Sequence, residues 1–274
     1  MVVQHNLTAM NSNRMLGVTT NKQAKETEKL ASGYRINRAA DDAAGLSVSE
    51  KMRRQIRGLD QASANAQDGV SLVQSAEGAL GEVSDMLQRM NELTVKAANG
   101  TYTSTQKGYI SDEINQLISE IDRVATTTKF NDQKVLSATA TYSFQVGNEQ
   151  NETMTVQISN MKASKLNAKL STQDWKTNST YASVSAFIDT VKSAMETVAS
   201  QRSALGAVQN RLEHTISNLD NIVENTTAAE SRIRDTDMAK TMVTYSNNQI
   251  LAQAGQAMLA QSNQTNQGVL SLLQ

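Results

Sequence analysis

The chain has 274 residues, 26 Lys and Arg against 27 Asp and Glu, and neither proline nor cysteine. Without cysteine there is no disulfide framework, thiol nucleophile or cysteine-based zinc site, and the balanced charge excludes the basic footprint of a nucleic-acid binder. The missing proline removes the strongest helix breaker, so long uninterrupted helices are permitted.

The chain opens without a charge before Arg14. It shows no basic n-region followed by an apolar core, so no cleaved secretory signal is expected. No run approaches the roughly 18 apolar residues of a membrane span, so no membrane insertion is expected. From Met52 the apolar positions step by four and three: Met52, Ile56, Leu59, Ser63, Ala66, Val70, Val73. After one three-residue step they resume as Ala76, Leu80, Val83, Leu87, Met90, Thr94, Ala97. This pattern predicts a helix from Leu46 to Ala98 with a narrow apolar seam, and the extra step resembles a stammer. At about 1.5 Å per residue such a helix measures roughly 80 Å. A compact globule of this length has a radius of gyration near 19 Å, hence a diameter of about 50 Å, so a rod is expected.

A shorter helical seam follows at Ile110, Ile114, Leu117, Ile121 and Val124. Tyr142, Phe144 and Val146 then alternate with polar residues, as do Met154, Val156 and Ile158, across the polar link Asn148–Glu152. That predicts a β-hairpin, read as a packing element. Thr172 to Ser185, rich in Ser, Thr and Asn, predicts a loop. The second long seam reads Phe187, Val191, Ala194, Val198, Gln201, Leu205, Val208, Leu212, Thr215, Leu219, Ile222, Thr226. Three seams of this kind bury one another as a coiled-coil-like bundle.

The last 34 residues, after Lys240, carry no charge. From Asn247 to Gln267, ten of 21 residues are Asn or Gln, with Leu251, Ala254 and Met258 recurring among them and Leu270 and Leu273 beyond. A helix with so thin an apolar face is marginal alone. Both ends are therefore expected to be disordered in the free subunit and to fold when packed on other copies.

Signals for chemistry are weak. His5 and His214 lack any companion metal-binding run, and no catalytic, metal or cofactor site is expected. Asp235 and Asp237 lack the glycine and glutamate of a calcium loop. Lys51, Arg53, Arg54 and Arg57 form a local basic cluster without aromatic partners, which argues against nucleic acid. Asn99-Gly-Thr101, Asn151-Glu-Thr153 and Asn178-Ser-Thr180 match glycosylation sequons.

Longer motifs are more specific. The N-terminal half carries Leu30-Ala-Ser-Gly-Tyr-Arg-Ile-Asn-Arg-Ala-Ala-Asp-Asp-Ala-Ala-Gly45, Asn65-Ala-Gln-Asp-Gly-Val70, Ala76-Glu-Gly-Ala-Leu80 and Leu87-Gln-Arg-Met-Asn-Glu-Leu-Thr-Val95. Glu120-Ile-Asp-Arg-Val124, Phe130-Asn131 and Phe144-Gln-Val-Gly147 follow. The C-terminal half carries Leu205-Gly-Ala-Val-Gln-Asn-Arg-Leu212, Ser231-Arg-Ile-Arg-Asp-Thr-Asp237, Gln249-Ile-Leu-Ala-Gln-Ala-Gly255 and Val269-Leu-Ser-Leu-Leu-Gln274. In this order they resemble bacterial flagellin, the filament protein. The hook–filament junction proteins share related terminal helices, but the intact Gln-Ala-Gly and final Val-Leu-Ser-Leu-Leu segments favour flagellin.

The resemblance implies a mainly α fold: an elongated coiled-coil-like helical bundle with a small β-hairpin region. It divides the chain into an N-terminal D0 helix and spoke (1–40), a D1 bundle (41–236, hairpin about 141–159) and a C-terminal D0 helix (237–274). About 30 residues separate Ser159 from Phe187, too few for a further domain, so a minimal form without large variable outer domains is expected. It implies a non-enzymatic subunit that polymerises with itself into an extracellular filament for swimming, exported without a cleaved signal. Implied partners are an export chaperone, the export apparatus, and hook-associated and cap proteins. Implied polymer-interface residues are Arg35, Arg38, Asp41, Asp42, Leu251, Ala254, Met258, Leu270 and Leu273; capping of a helix is the local alternative for Asp41 and Asp42. Gln88, Arg89, Glu92, Leu93 and Glu113 match a patch that Toll-like receptor 5 recognises in many flagellins, with Arg89 as charged and Leu93 as apolar anchor.

Overall fold

The computed structural model describes residues 6–167, 170, 173–175 and 180–272, with side chains at the C-terminus described as far as Thr265. Six helices and two small antiparallel hairpins make up the described chain: α1 (Leu7–Ser32), α2 (Ala43–Ala98), α3 (Ser104–Thr127), β1 (Lys129–Phe130), β2 (Gln133–Lys134), β3 (Ala140–Gln145), β4 (Thr153–Ile158), α4 (Ala163–Leu166), α5 (Tyr181–Arg234) and α6 (Met238–Leu272). The chain divides into two compact units, Met1–Ile56 with Glu224–Gln274, and Arg57–Val223.

Helix starts follow the capping chemistry of short polar side chains. Asn6 accepts a bond from the Ala9 amide at 3.0 Å, and Asp42 from the Gly45 amide at 2.8 Å. Thr103 and Gln106 form a reciprocal capping box on α3. Asp237 accepts from the Lys240 amide at 3.0 Å at the start of α6. Gly33 ends α1 in the left-handed region, φ 78°, and its amide donates to the Lys29 carbonyl. A residue with a β-carbon is strained there, which is why glycine closes this helix.

In the unit 57–223, the predicted seams are the core. On α2, Leu59, Ala66, Val73, Ala76, Leu80, Val83, Leu87, Met90 and Ala97 are buried, and Leu72 joins them beside the three-residue step. From Leu72 onward they pack with Ile110, Ile114, Ile118 and Ile121 of α3 and Val184, Phe187, Val191, Ala194, Val198 and Leu205 of α5 in one continuous cluster. That core then thins to Ala66, Met154 and Leu212, and finally to Leu59, Ala62 and Leu219. The hairpin is confirmed with its register: Tyr142 opposes Val156 and Phe144 opposes Met154. Its alternation sends Val156 and Ile158 into the core and leaves Thr153, Thr155 and Gln157 exposed, as a half-buried strand demands.

Three features differ from the sequence expectation. A two-residue hairpin, β1–β2, turns at Asn131 and Asp132, both at positive φ (48° and 62°), where Asn and Asp are tolerated best. The expected loop at 172–185 lies partly outside the described residues; within it Trp175 is buried, edge-to-face on Phe187 at 5.8 Å, and α5 already begins at Tyr181. The terminal segments form helices within one chain, because each is the other's partner.

In the unit 1–56 with 224–274, α1 packs on α6. Ala9, Ser12, Leu16, Thr19, Gln23, Glu26 and Leu30 form the half-buried row of α1. On α6 the covered row is Thr241, Tyr245, Asn248, Ala252, Gly255, Leu259 and Ser262. Both rows step by threes and fours, and mostly small and polar residues make this seam, with Leu16, Leu30 and Leu259 among them. A β-carbon on Gly255 would stand 3.4 Å from the Leu16 side chain. Asn6 ties the two ends by donating from Nδ2 to the Ser262 carbonyl at 3.1 Å.

Candidate functional site

The sequence singles out three surfaces. The first is the outer face of the paired terminal helices. Leu251 and Met258 are 57% and 61% exposed, and Ala254 is exposed between them. Leu7, Met10, Met15 and Val18 on α1, and Met238, Met242, Val243 and Ile250 on α6, are also exposed. A single exposed apolar residue needs no explanation, whereas here ten large ones are spread over two helices. On the uncharged stretch of α6, covering these residues would strand no ion. The Leu270 side chain and Leu273 lie outside the described residues.

The second surface is the connector between α1 and α2. Its backbone is pinned to the end of α5: the Arg35 amide donates to the Arg234 carbonyl at 2.6 Å, and the Thr236 amide to the Gly33 carbonyl at 3.0 Å. Tyr34 and Asp235 form a bridge, and the Arg234 guanidinium lies 4.5 Å from the centre of the Tyr34 ring. The Arg35 guanidinium donates to the Ile233 carbonyl. Arg38 pairs with Glu28 at 2.9 Å. The Asp41 carboxylate accepts the amides of Arg38 and Asn37 at 3.1 and 3.3 Å. Those two bonds favour its charged form and lower its pKa below the ordinary 3.8. Asp42 caps α2. The four charged residues are therefore each engaged inside the chain, and capping is the role Asp42 fills here. Ile36, which no charge pattern picked out, is the buried anchor of the segment at 1% exposure.

The third surface joins α2 and α3. The Arg89 guanidinium reaches Glu113 at 3.0 Å and Glu92 at 3.2 Å. Its pKa is raised by the hydrogen bond to Glu113 first and that to Glu92 second. Gln88 is exposed beside it. Leu93 is not: at 3% exposure it belongs to the core, where its place on the seam beside Met90 and Ala97 puts it. An apolar anchor role for Leu93 meets that burial; it lines only the floor of a shallow cavity walled by Arg89, Lys96, Tyr102, Tyr109 and Glu113. Exposed Tyr109 is the apolar group the sequence reading passed over, since a lone tyrosine off the seam gives no periodic signal.

Among the described residues, no cluster of His, Cys, Asp or Glu could hold a metal ion, and no helix is long and apolar enough to cross a membrane.

Comparison with known proteins gives a consistent answer. The family model of the bacterial flagellin N-terminal helical region matches residues 3–141, and that of the C-terminal helical region matches residues 188–273. A flagellin of Halalkalibacterium halodurans is 51% identical over 274 residues, covering all of both chains. A flagellin of Bacillus subtilis is 46% identical over 303 residues, again covering all of both. Among solved structures, Bacillus cereus flagellin is 30% identical with a TM-score of 0.50, over 57% of this chain and 88% of that one. A putative flagellar hook-associated protein of Vibrio parahaemolyticus reaches a TM-score of 0.61 over 71% of this chain at 14% identity, a likeness of fold alone.

Proposed function

From the premise that this chain belongs to the bacterial flagellin family, we propose how its surfaces serve the filament. The family is structural and not enzymatic, and the chain is a subunit of the flagellar filament, in a short form without the variable domain. The finer reading is that α1 and α6 form a D0 module lining the inside of the polymer, with a D1 bundle outside, divided at residues 40/41 and 236/237. The observation that carries it is the exposed apolar face of the two terminal helices, on a C-terminal stretch with no charge after Lys240. One patch bonding a different patch on the next copy gives a contact that does not close, and so an open helical filament. Such a filament, outside the cell, transmits motor torque as swimming thrust. Export without a cleaved signal, an export chaperone and apparatus, and hook-associated and cap proteins belong to the same reading. In it Arg35, Arg38, Asp41 and Asp42 also reach neighbouring subunits. Deleting residues 257–274 should abolish filaments by electron microscopy while circular dichroism of the bundle stays helical; normal filaments would refute the role.

A second reading concerns recognition by Toll-like receptor 5. The exposed Arg89 cation, paired with Glu92 and Glu113 and with Gln88 alongside, supports it, as a charge accessible to a protein partner. Arg89→Ala should lower receptor binding in a purified-component assay with helicity unchanged, and equal binding would overturn the reading.

A further inference from the structure

Gly100 is a glycine without a structural reason. It follows the end of α2, has no positive φ, and a β-carbon placed there would meet nothing within 4 Å. It is preceded by Asn99, and both are exposed. Asn99 Oδ1 accepts a hydrogen bond from the Thr101 amide at 3.2 Å. That bond folds the side-chain amide back along the peptide that follows it and draws electron density from Cγ.

We propose that Asn99 is a site of spontaneous deamidation, a built-in covalent modification of the subunit. The Gly100 backbone nitrogen, having given its proton to solvent base, attacks Asn99 Cγ. The new C–N bond closes a five-membered succinimide, the Cγ–Nδ2 bond breaks, and ammonia leaves with a proton from water. A second water opens the ring at either carbonyl, leaving aspartate or an isoaspartyl linkage at 99. Only glycine at 100 leaves the attacking nitrogen unhindered, and the open space around it lets the backbone turn. The product adds one negative charge at the C-terminal end of α2, the end where the helix dipole opposes it. That charge arises three residues from Lys96, whose ammonium lies 5.9 Å from the centre of the Tyr102 ring. The inference holds whether or not the subunit polymerises.

The test incubates the full purified chain in mildly alkaline buffer and follows ammonia release, isoelectric shift and peptide mass. The expected result is the mass gain of amide-to-acid exchange at residue 99, with isoaspartate detected, ahead of every other asparagine. Gly100→Ala should keep the circular dichroism of the parent and slow the reaction roughly tenfold or more, through a higher barrier to closure. Asn99→Asp should reproduce the charge shift at time zero. No mass gain at 99, an earlier gain elsewhere, or an unchanged rate in Gly100→Ala would each overturn the proposal; should that variant lose helicity, Gly100→Ser, which likewise adds a β-carbon, must slow the gain at 99, and an unchanged rate there overturns it.

Discussion

Asp42, Gly45 and Ile36 show how one backbone amide organises the connector. The carboxylate of Asp42 caps α2 at the Gly45 amide, and a β-carbon on Gly45 would stand 2.5 Å from Asp42 Oδ2 and 2.8 Å from Ile36 Cδ1. Replacing glycine by alanine in a helix normally gains up to about 1 kcal/mol. Here the lost cap costs about 1 kcal/mol and crowding the buried Ile36 costs a further 1–3 kcal/mol or so. Gly45→Ala should therefore lower the urea midpoint. Gly78→Ala on the same helix, with open space around it, should raise it slightly. The motifs that carry Gly45 and Gly78 were legible as signatures in the sequence, but not why glycine is needed at 45 and not at 78. That depends on Ile36, nine positions earlier, folding back over the helix start.

At the scale of the elements, the seams read from spacing are the core of the unit 57–223, because a period near 3.5 has only one face to bury. Leu80→Ala should cost about 2–5 kcal/mol, as for a fully buried leucine. Ile222→Ala, on the same kind of seam but 36% exposed, should cost far less in thermal or urea unfolding. Spacing alone treated the two alike. It missed the burial of Trp175 and the hairpin at Asn131–Asp132 for opposite reasons. Trp175 sits in a polar stretch with no period, and its burial comes from Phe187 on α5. Asn131–Asp132 is a local turn signal flanked by strands too short to alternate.

For the molecule as a filament subunit, two faces of α6 have separable duties. Leu251→Glu changes an exposed residue off the α1 seam, and should block polymerisation while leaving the terminal helix pair intact by circular dichroism. Gly255→Leu intrudes on Leu16, and should loosen the α1–α6 pair itself, read as faster amide exchange in α1. Should Leu251→Glu polymerise normally, the outer face is not the one covered in the filament. The sequence by itself determined the family, the long helices, the hairpin and the uncharged terminus, because periodicity, missing proline and charge distribution are properties of the chain read in order. Only the tertiary structure decided which faces are covered. It assigned Leu93 to the core and left Leu251 and Met258 outside, although all three are apolar residues at helical spacing. The reason is that a spacing pattern fixes which residues share a face, whereas burial depends on what partner that face meets. Leu93 joins the core cluster with residues of α3 and α5, and α6 meets α1 through a row of mostly small and polar residues.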